Sequence, residues 1–146
     1  MDSIARSAIE NRCARVMNQF FWSIDQNDYE SAIALFVPDC TFSRADAVYQ
    51  GHDGLRTVLA NRDQNRLTRH VNTNIVIDVA DADHASGKSY GLVFGHRGPL
   101  SPTGEASLSS PDSLVLSSAD FVVEGGIWRV LKWHVALCFR KPPVEA

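Results

Sequence analysis

The stretch Leu67–His96, LTRHVNTNIVIDVADADHASGKSYGLVFGH, decides the fold class of this chain. Side chains of different polarity alternate along its first part, which is the period of a β-strand with one buried face. Turn-forming residues at Asp81–His84 interrupt the alternation, and a second strand-like run follows them. The stretch therefore predicts a β-hairpin with strands Leu67–Val79 and Ala85–His96.

Residues two apart on a strand point to the same side of its sheet. On one side, the first strand is predicted to carry Val71, Thr73, Ile75 and Ile77. On the other side, it is predicted to carry His70, Asn72, Asn74 and Val76. The histidine and both asparagines are therefore expected to share one face.

Helical patterns lie N-terminal to the hairpin. Apolar residues recur every three to four positions over Ile4–Ile24, which predicts a long amphipathic helix. A shorter helix is predicted over Tyr29–Phe36, because Asp28 is a suitable N-cap and Pro38 stops the helix. Three further elements are predicted next: a short strand at Cys40–Phe42, a turn at Gly51–Gly54 and a third helix from Leu55 to about Asn65.

Two more strands are predicted C-terminal to the hairpin, over Asp112–Glu124 and Ile127–Arg140, with a tight turn between them. A long loop rich in glycine, proline and serine, Arg97–Pro111, precedes them. Helices first and hairpin-linked strands afterwards are typical of an α+β fold with an antiparallel sheet. We expect one domain over residues 1–146.

Composition excludes several classes of partner. The 146 residues carry a net charge of −3, so nothing attracts the chain electrostatically to nucleic acid or to an anionic membrane. No apolar run approaches the roughly 20 residues that span a bilayer, and the polar N-terminus does not resemble a secretory signal. Three cysteines without a CxxC pair favour a reducing compartment. We therefore expect a cytoplasmic protein.

Four groups of motifs are spread along nearly the whole chain. They are Ile24–Tyr29 (IDQNDY) with Ala34–Asp39 (ALFVPD), Tyr49–Leu55 (YQGHDGL), Thr68–Asn74 (TRHVNTN) and Gly126–Val130 (GIWRV). In this order they resemble the SnoaL-like branch of the nuclear-transport-factor-2-like superfamily. The resemblance implies a cone, in which a curved antiparallel sheet is wrapped by the N-terminal helices around a cavity. It also implies a homo-oligomer, with a trimer favoured over a dimer.

Within this superfamily, the chain is most similar to the scytalone dehydratases and the hexachlorocyclohexane dehydrochlorinases. The resemblance implies a catalytic Asp–His dyad, and Asp25 and His70 fall on its positions. His96 falls on a second active-site histidine of the dehydratases. Two dehydratase tyrosines are replaced by Ile24 and by a residue near Arg44, which argues for a different substrate. The catalytic lysine of the dehydrochlorinases is replaced as well, by Phe20.

These residue types suit proton transfer at carbon. An imidazole is a good general base near neutral pH, and a carboxylate bound to one ring nitrogen orients it. His70 would take a proton beside a carbonyl, Asp25 would orient His70, and His96 would protonate a departing hydroxyl. The predicted reaction is loss of water from a small cyclic or polyketide-like carbonyl compound, with no metal and no cofactor.

Alternatives remain at this point. The same dyad also serves an isomerase or a cyclase, because these reactions begin with the same proton transfer. The superfamily further includes non-catalytic ligand-binding and assembly modules. In such a module His70 would be a hydrogen-bonded structural residue and Asp25 a solvated one.

Other residues are candidates for substrate binding. Asn72 and Asn74 could bind a substrate oxygen, although hydrogen bonds across the sheet would explain them equally well. The remaining candidates are Phe20, Ile24 and Tyr49, of which the tyrosine serves mainly for packing. Aromatic walls predict a small hydrophobic or ring-containing ligand. The acidic cluster at Asp78–His84 lacks the pattern of a calcium loop, which predicts a solvated turn rather than a metal site.

Overall fold

The computed structural model describes residues 1–45 and 47–143. Within this part, three helices and six strands follow one another along the chain. The helices are α1 (Ser3–Asp25), α2 (Tyr29–Ile33) and α3 (Gly51–Ala60). The strands are β1 (Phe36–Arg44), β2 (Ala47–Gln50), β3 (Leu67–Val79), β4 (His84–His96), β5 (Ser113–Glu124) and β6 (Ile127–Arg140).

The strands form one curved, open sheet of six strands in the order β2-β1-β6-β5-β4-β3. The predicted α+β class is confirmed, and the four long strands β3 to β6 pair as antiparallel neighbours. The arrangement differs from the expected one at β1, which runs parallel to β6 and antiparallel to β2. Parallel pairing is possible because β1 and β6 are the first and last long strands of the chain and are not joined by a hairpin turn, which would impose antiparallel pairing.

β1 is also longer than the predicted strand at Cys40–Phe42, and α2 correspondingly stops at Ile33 instead of Phe36. Phe36 and Val37 are both almost completely buried. An extended conformation inside the sheet therefore buries more apolar surface in this segment than another helical turn would. Pro38 is tolerated because the pairing with β6 is interrupted between Phe36 and Thr41, where a missing N–H breaks no ladder bond.

The predicted turn at Gly51–Gly54 is instead the first turn of α3, which begins at Gly51 and ends at Ala60. The backbone of Gly51 has φ +66°, a region that favours glycine. A Cβ atom at this position would also lie 3.1 Å from the carbonyl oxygen of Pro38. Glycine at this position therefore allows the first residue of α3 to lie close to the backbone of β1.

A β-bulge divides β3 into two parts. The pairing register with β4 shifts between Thr73 and Val76, and Asn74 has φ +53°. Before the bulge the even-numbered residues point inward, as buried Thr68 shows; after it the odd-numbered residues do, as buried Val79 shows. The predicted assignment of eight residues to two continuous faces is therefore wrong beyond Thr73. One extra residue reverses the side on which every later side chain lies.

Helix α1 covers the inner face of the sheet, which we define as the face carrying Thr68 and His70. Its buried residues contact a cluster of aromatic side chains, and the rings of Phe20 and Trp133 lie 4.6 Å apart between centroids. Asp2 caps this helix by accepting the backbone N–H of Ala5 at 2.8 Å. No helix in the described ranges is both long enough and apolar enough to cross a membrane.

Candidate active site

Asp25 is the last residue of α1, and its carboxylate contacts β3 at three points. Oδ1 lies 2.6 Å from Nδ1 of His70, and Oδ2 accepts the backbone N–H of His70 at 2.7 Å. The hydroxyl of Thr68 donates to Oδ1 at 3.1 Å. A helix end and a strand 45 residues further along the chain are thus joined through one carboxylate.

The imidazole of His70 is held in one orientation. A carboxylate can only accept hydrogen bonds, so Nδ1 carries the donated proton and Nε2 of the neutral ring keeps its lone pair. The ring of Phe21, one helical turn before Asp25, stacks on the imidazole with centroids 5.0 Å apart and 24° between the planes. The side chains of His70 and Asp25 are only 9% and 7% exposed. Water therefore competes little for the hydrogen bond between these two side chains.

Two opposing effects act on the Asp25 carboxyl. Burial raises its pKa, whereas hydrogen bonds from the side chain and backbone of His70, and from Thr68, lower it. The net pKa lies below the ordinary value for an aspartate. Asp25 is therefore ionised at neutral pH and can stabilise a positive charge on His70.

The dyad adjoins a cavity of about 140 Å³ between α1, α3 and the inner face of the sheet. Its wall is mostly apolar, and His70 contributes to it, while Asp25 lies behind the imidazole. Two arginines complete the polar part of the wall. The lining residues are Phe20, Phe21, Ile24, Phe42, Arg44, Val58, Leu59, Arg62, His70, Val93, Val115 and Val135.

Of the predicted binding residues, Phe20 and Ile24 line this cavity. Asn72 instead donates from Nδ2 to Oδ1 of Asn18 at 2.9 Å, which ties β3 to α1. Asn74 is exposed in the bulge, where it accepts the hydroxyl of Thr73. Tyr49 lies on β2 and packs against the core, away from the cavity wall.

The structure does not bring His96 to the dyad. His96 pairs with Leu67 across β3 and β4, and His70 pairs with Val93, so the two histidines are three positions apart in the ladder. An odd offset places their side chains on opposite faces. His96 approaches the carbonyl oxygen of Pro99 at 3.2 Å and lines a separate outer cavity of about 250 Å³. Its predicted role as the acid is therefore not supported by this geometry.

Thr68 and Arg62 belong to the site but were missed in the sequence. Thr68 is buried and lies two residues before His70, so the alternation of β3 could have placed both on one face. Arg62 follows the end of α3 and donates from Nη2 to the hydroxyl of Thr68 at 3.2 Å. No periodic signal extends into this loop, so nothing in the sequence pointed to Arg62.

The geometry defines a class: an α+β protein whose curved sheet and helices enclose a cavity with an Asp–His dyad in its wall. Residues 5–134 match the SnoaL-like domain family. The chain therefore belongs to the SnoaL-like domain family, as its motifs predicted. No curated protein matches the chain.

Solved structures of the same fold include enzymes. A candidate scytalone dehydratase from Novosphingobium aromaticivorans is 22% identical, with a TM-score of 0.78 over 99% of this chain and 95% of that one. The type-3 hexachlorocyclohexane dehydrochlorinase of Novosphingobium barchaimii is 16% identical, with a TM-score of 0.78 over 97% and 94%. ActVI-ORFA from Streptomyces coelicolor is 17% identical, with a TM-score of 0.72 over 89% and 97%. At these identities the likeness establishes a common fold.

Proposed function

We propose that this protein is a cofactor-independent lyase of the dehydratase type that acts on a small cyclic or polyketide-like carbonyl compound. The observation that carries the proposal is the buried Asp25–His70 dyad, with Nδ1 and Oδ1 2.6 Å apart, in the wall of an apolar cavity. His70 is the general base, and Asp25 orients it and stabilises its protonated form.

The reaction begins when Nε2 of His70 takes a proton from the carbon next to the substrate carbonyl. The electron pair of that C–H bond forms an enolate. When the carbonyl re-forms, the pair moves into a new C=C bond and a hydroxyl leaves from the neighbouring carbon. The imidazolium returns its proton to the departing hydroxyl, so the products are an unsaturated carbonyl compound and water. One histidine can thus act as base and then as acid, without His96.

The cavity supports a small hydrophobic or ring-containing ligand. Its volume of about 140 Å³ is close to that of a dry engineered cavity of about 150 Å³ that binds benzene. Apolar walls also strengthen the electrostatic pairing of His70 with Asp25, because they exclude water from it.

Turnover of 4-hydroxy-2-tetralone tests the proposal, since loss of water from this ketone gives fluorescent 2-naphthol. We expect the wild-type protein to form a product lighter by the mass of one water and His70→Gln to lose this activity. Deuterium exchange next to the carbonyl of 2-tetralone provides a second measure of the base. Wild-type rates in His70→Gln would contradict the mechanism, and so would the absence of both activities from the wild type.

Two other functions give different outcomes in the same experiment. An isomerase or cyclase would exchange the proton and give a product of unchanged mass. A non-catalytic binding module would bind the ketone without exchange. The hydrogen-bonded dyad favours the enzymes over the module, because the module needs no oriented base beside its cavity.

The homo-oligomer, with a trimer favoured, and the cytoplasmic location stay predictions. Sedimentation equilibrium would test the first, and fractionation of the native cells the second.

A further inference from the structure

Arg62 brings a cationic group to the cavity that the dyad does not use. Its backbone lies two residues beyond the end of α3, and its side chain lines the cavity together with His70. Nη2 donates to the hydroxyl of Thr68 at 3.2 Å. Nε is buried and has no hydrogen-bond partner in the structure. A buried N–H of a charged group that lacks an acceptor is costly. A ligand oxygen that accepts a hydrogen bond from the guanidinium where Arg62 lines the cavity would offset part of this cost.

Three other arginines in the described residues form ion pairs with carboxylates. Arg56 pairs with Glu30 and Asp53, Arg66 with Asp112, and Arg97 with Asp63. No ion pair in these ranges includes Arg62, and none of the described residues lining the cavity is acidic. Arg62 therefore lines a cavity that has no carboxylate among its described lining residues.

We propose that Arg62 binds the carbonyl oxygen of the substrate and stabilises the negative charge that this oxygen gains when His70 removes the neighbouring proton. The inference rests on the proposed function and adds to it the residue that binds the oxygen of the enolate. The electron pair of the broken C–H bond ends on the oxygen bound by the guanidinium of Arg62, and the proton is held by His70. A fixed cationic donor lowers the energy of such an oxyanion more than that of the neutral ketone.

An enolate mimic tests this role without knowledge of the natural substrate. The probe is 4-nitrophenolate, whose absorbance distinguishes it from the neutral phenol, and nitrobenzene serves as the uncharged counterpart. For Arg62→Met we expect the affinity for the phenolate to fall about ten- to a hundredfold. The affinity for nitrobenzene should stay unchanged. Arg62→Lys should recover part of the phenolate affinity, because it restores the charge but not the planar donor geometry.

Two further variants separate binding from support of the fold. Arg56→Met removes an exposed arginine from α3, outside the cavity, and should bind both probes as the wild type does. Thr68→Val removes the hydrogen bond to Arg62 but not the guanidinium, so the preference for phenolate over nitrobenzene should persist. An equal loss of both probes in Arg62→Met would overturn the proposal, as would unchanged phenolate affinity or a wild type that binds neither probe.

Turnover distinguishes a failure of this inference from a failure of the proposed function. If His70→Gln abolishes proton exchange while Arg62→Met keeps the wild-type kcat, the proposed function is supported and the role of Arg62 is refuted. If His70→Gln keeps full exchange while phenolate binding still depends on Arg62, the cavity binds oxyanions but the proposed base is refuted. If both proposals hold, Arg62→Met lowers kcat more than it raises KM, because the charge appears only along the reaction.

Discussion

Among the residues that the structure describes, two His–Asp pairs are hydrogen-bonded, and only one of them adjoins the inner cavity. His70 and Asp25 come from a strand and a distant helix end, with 2.6 Å between Nδ1 and Oδ1 and with side chains 9% and 7% exposed. His84 and Asp81 lie three residues apart in the β3–β4 turn, with 3.0 Å between the same atoms and with side chains 61% and 59% exposed.

The surroundings of the two pairs differ more than their distances. Asp81 also accepts the backbone N–H groups of Asp83 and His84, so its main task is to close the turn. The hydrogen bond from the backbone of Asp83, followed by the one from the His84 side chain, holds the pKa of Asp81 below its ordinary value. Water surrounds this pair, whereas an aromatic ring and a strand enclose His70. A His–Asp contact becomes a candidate active site through burial beside a cavity.

The largest expected effect is on the rate of proton exchange, and it should differ between variants of the two histidines. His70→Gln should lower the rate of proton exchange about 10²- to 10⁴-fold, which is the usual contribution of a general base. His84→Gln should exchange at the wild-type rate, because it lies in a solvated turn. Deuterium incorporation into 2-tetralone, followed by mass spectrometry, measures both. Equal rates in the two variants would remove the functional distinction between the pairs.

The two aspartates should differ in stability as well as in activity. Asp25→Asn replaces a buried carboxylate that accepts three hydrogen bonds, and we expect it to lower the free energy of unfolding by about 1–3 kcal/mol. Asp81→Asn should leave activity intact, because its site is exposed. Urea unfolding followed by circular dichroism gives the free energies. A larger loss in Asp81→Asn would reverse the comparison.

Acid should reduce the contribution of Asp25 to the free energy of unfolding. The pKa of Asp25 is lowered in the folded state, so its ionisation stabilises the fold fully above the unfolded-state pKa of about 3.9. This stabilisation is lost as the pH falls through the folded-state pKa. The difference in unfolding free energy between the wild type and Asp25→Asn should thus shrink as the pH falls below the unfolded-state pKa of Asp25. A difference that grows as the pH falls below this unfolded-state pKa would show that the pKa of Asp25 is raised in the folded state.

Salt provides a control for that titration. Added sodium chloride should reduce the contribution of Asp81 to the free energy of unfolding, since exposed charges are screened. It should change the contribution of buried Asp25 much less.

The smallest effect concerns a hydroxyl. Thr68→Val removes a hydrogen bond to Asp25 inside the fold and should cost about 1 kcal/mol of unfolding free energy, with a modest loss of rate. Thr57 also donates through its hydroxyl, to the backbone oxygen of Asp53, but it is exposed on α3. Thr57→Val should have little effect on the rate. Thermal unfolding and the exchange assay distinguish these outcomes.

The helices and the long strands could be predicted from the sequence, because buried side chains recur along them at a regular period. Prediction from the sequence did not reach the parallel pairing of β1, since that depends on where a distant strand, β6, lies in the sheet. It also failed beyond Thr73, because one asparagine with a positive φ shifts the register without a distinctive local pattern. The position of His96 illustrates the same limit: a matched position on a strand does not show which face the side chain occupies.

The sequence by itself determined the α+β class, the SnoaL-like family and Asp25 and His70 as the residues to examine. Local periodicity and ordered motifs carry that information along the chain. Only the tertiary structure decided that Asp25 meets His70 rather than solvent, that His96 faces away, and that Arg62 lines the cavity. Such contacts depend on how a helix end, a loop and a strand close around one volume, and that closure is a property of the whole sheet.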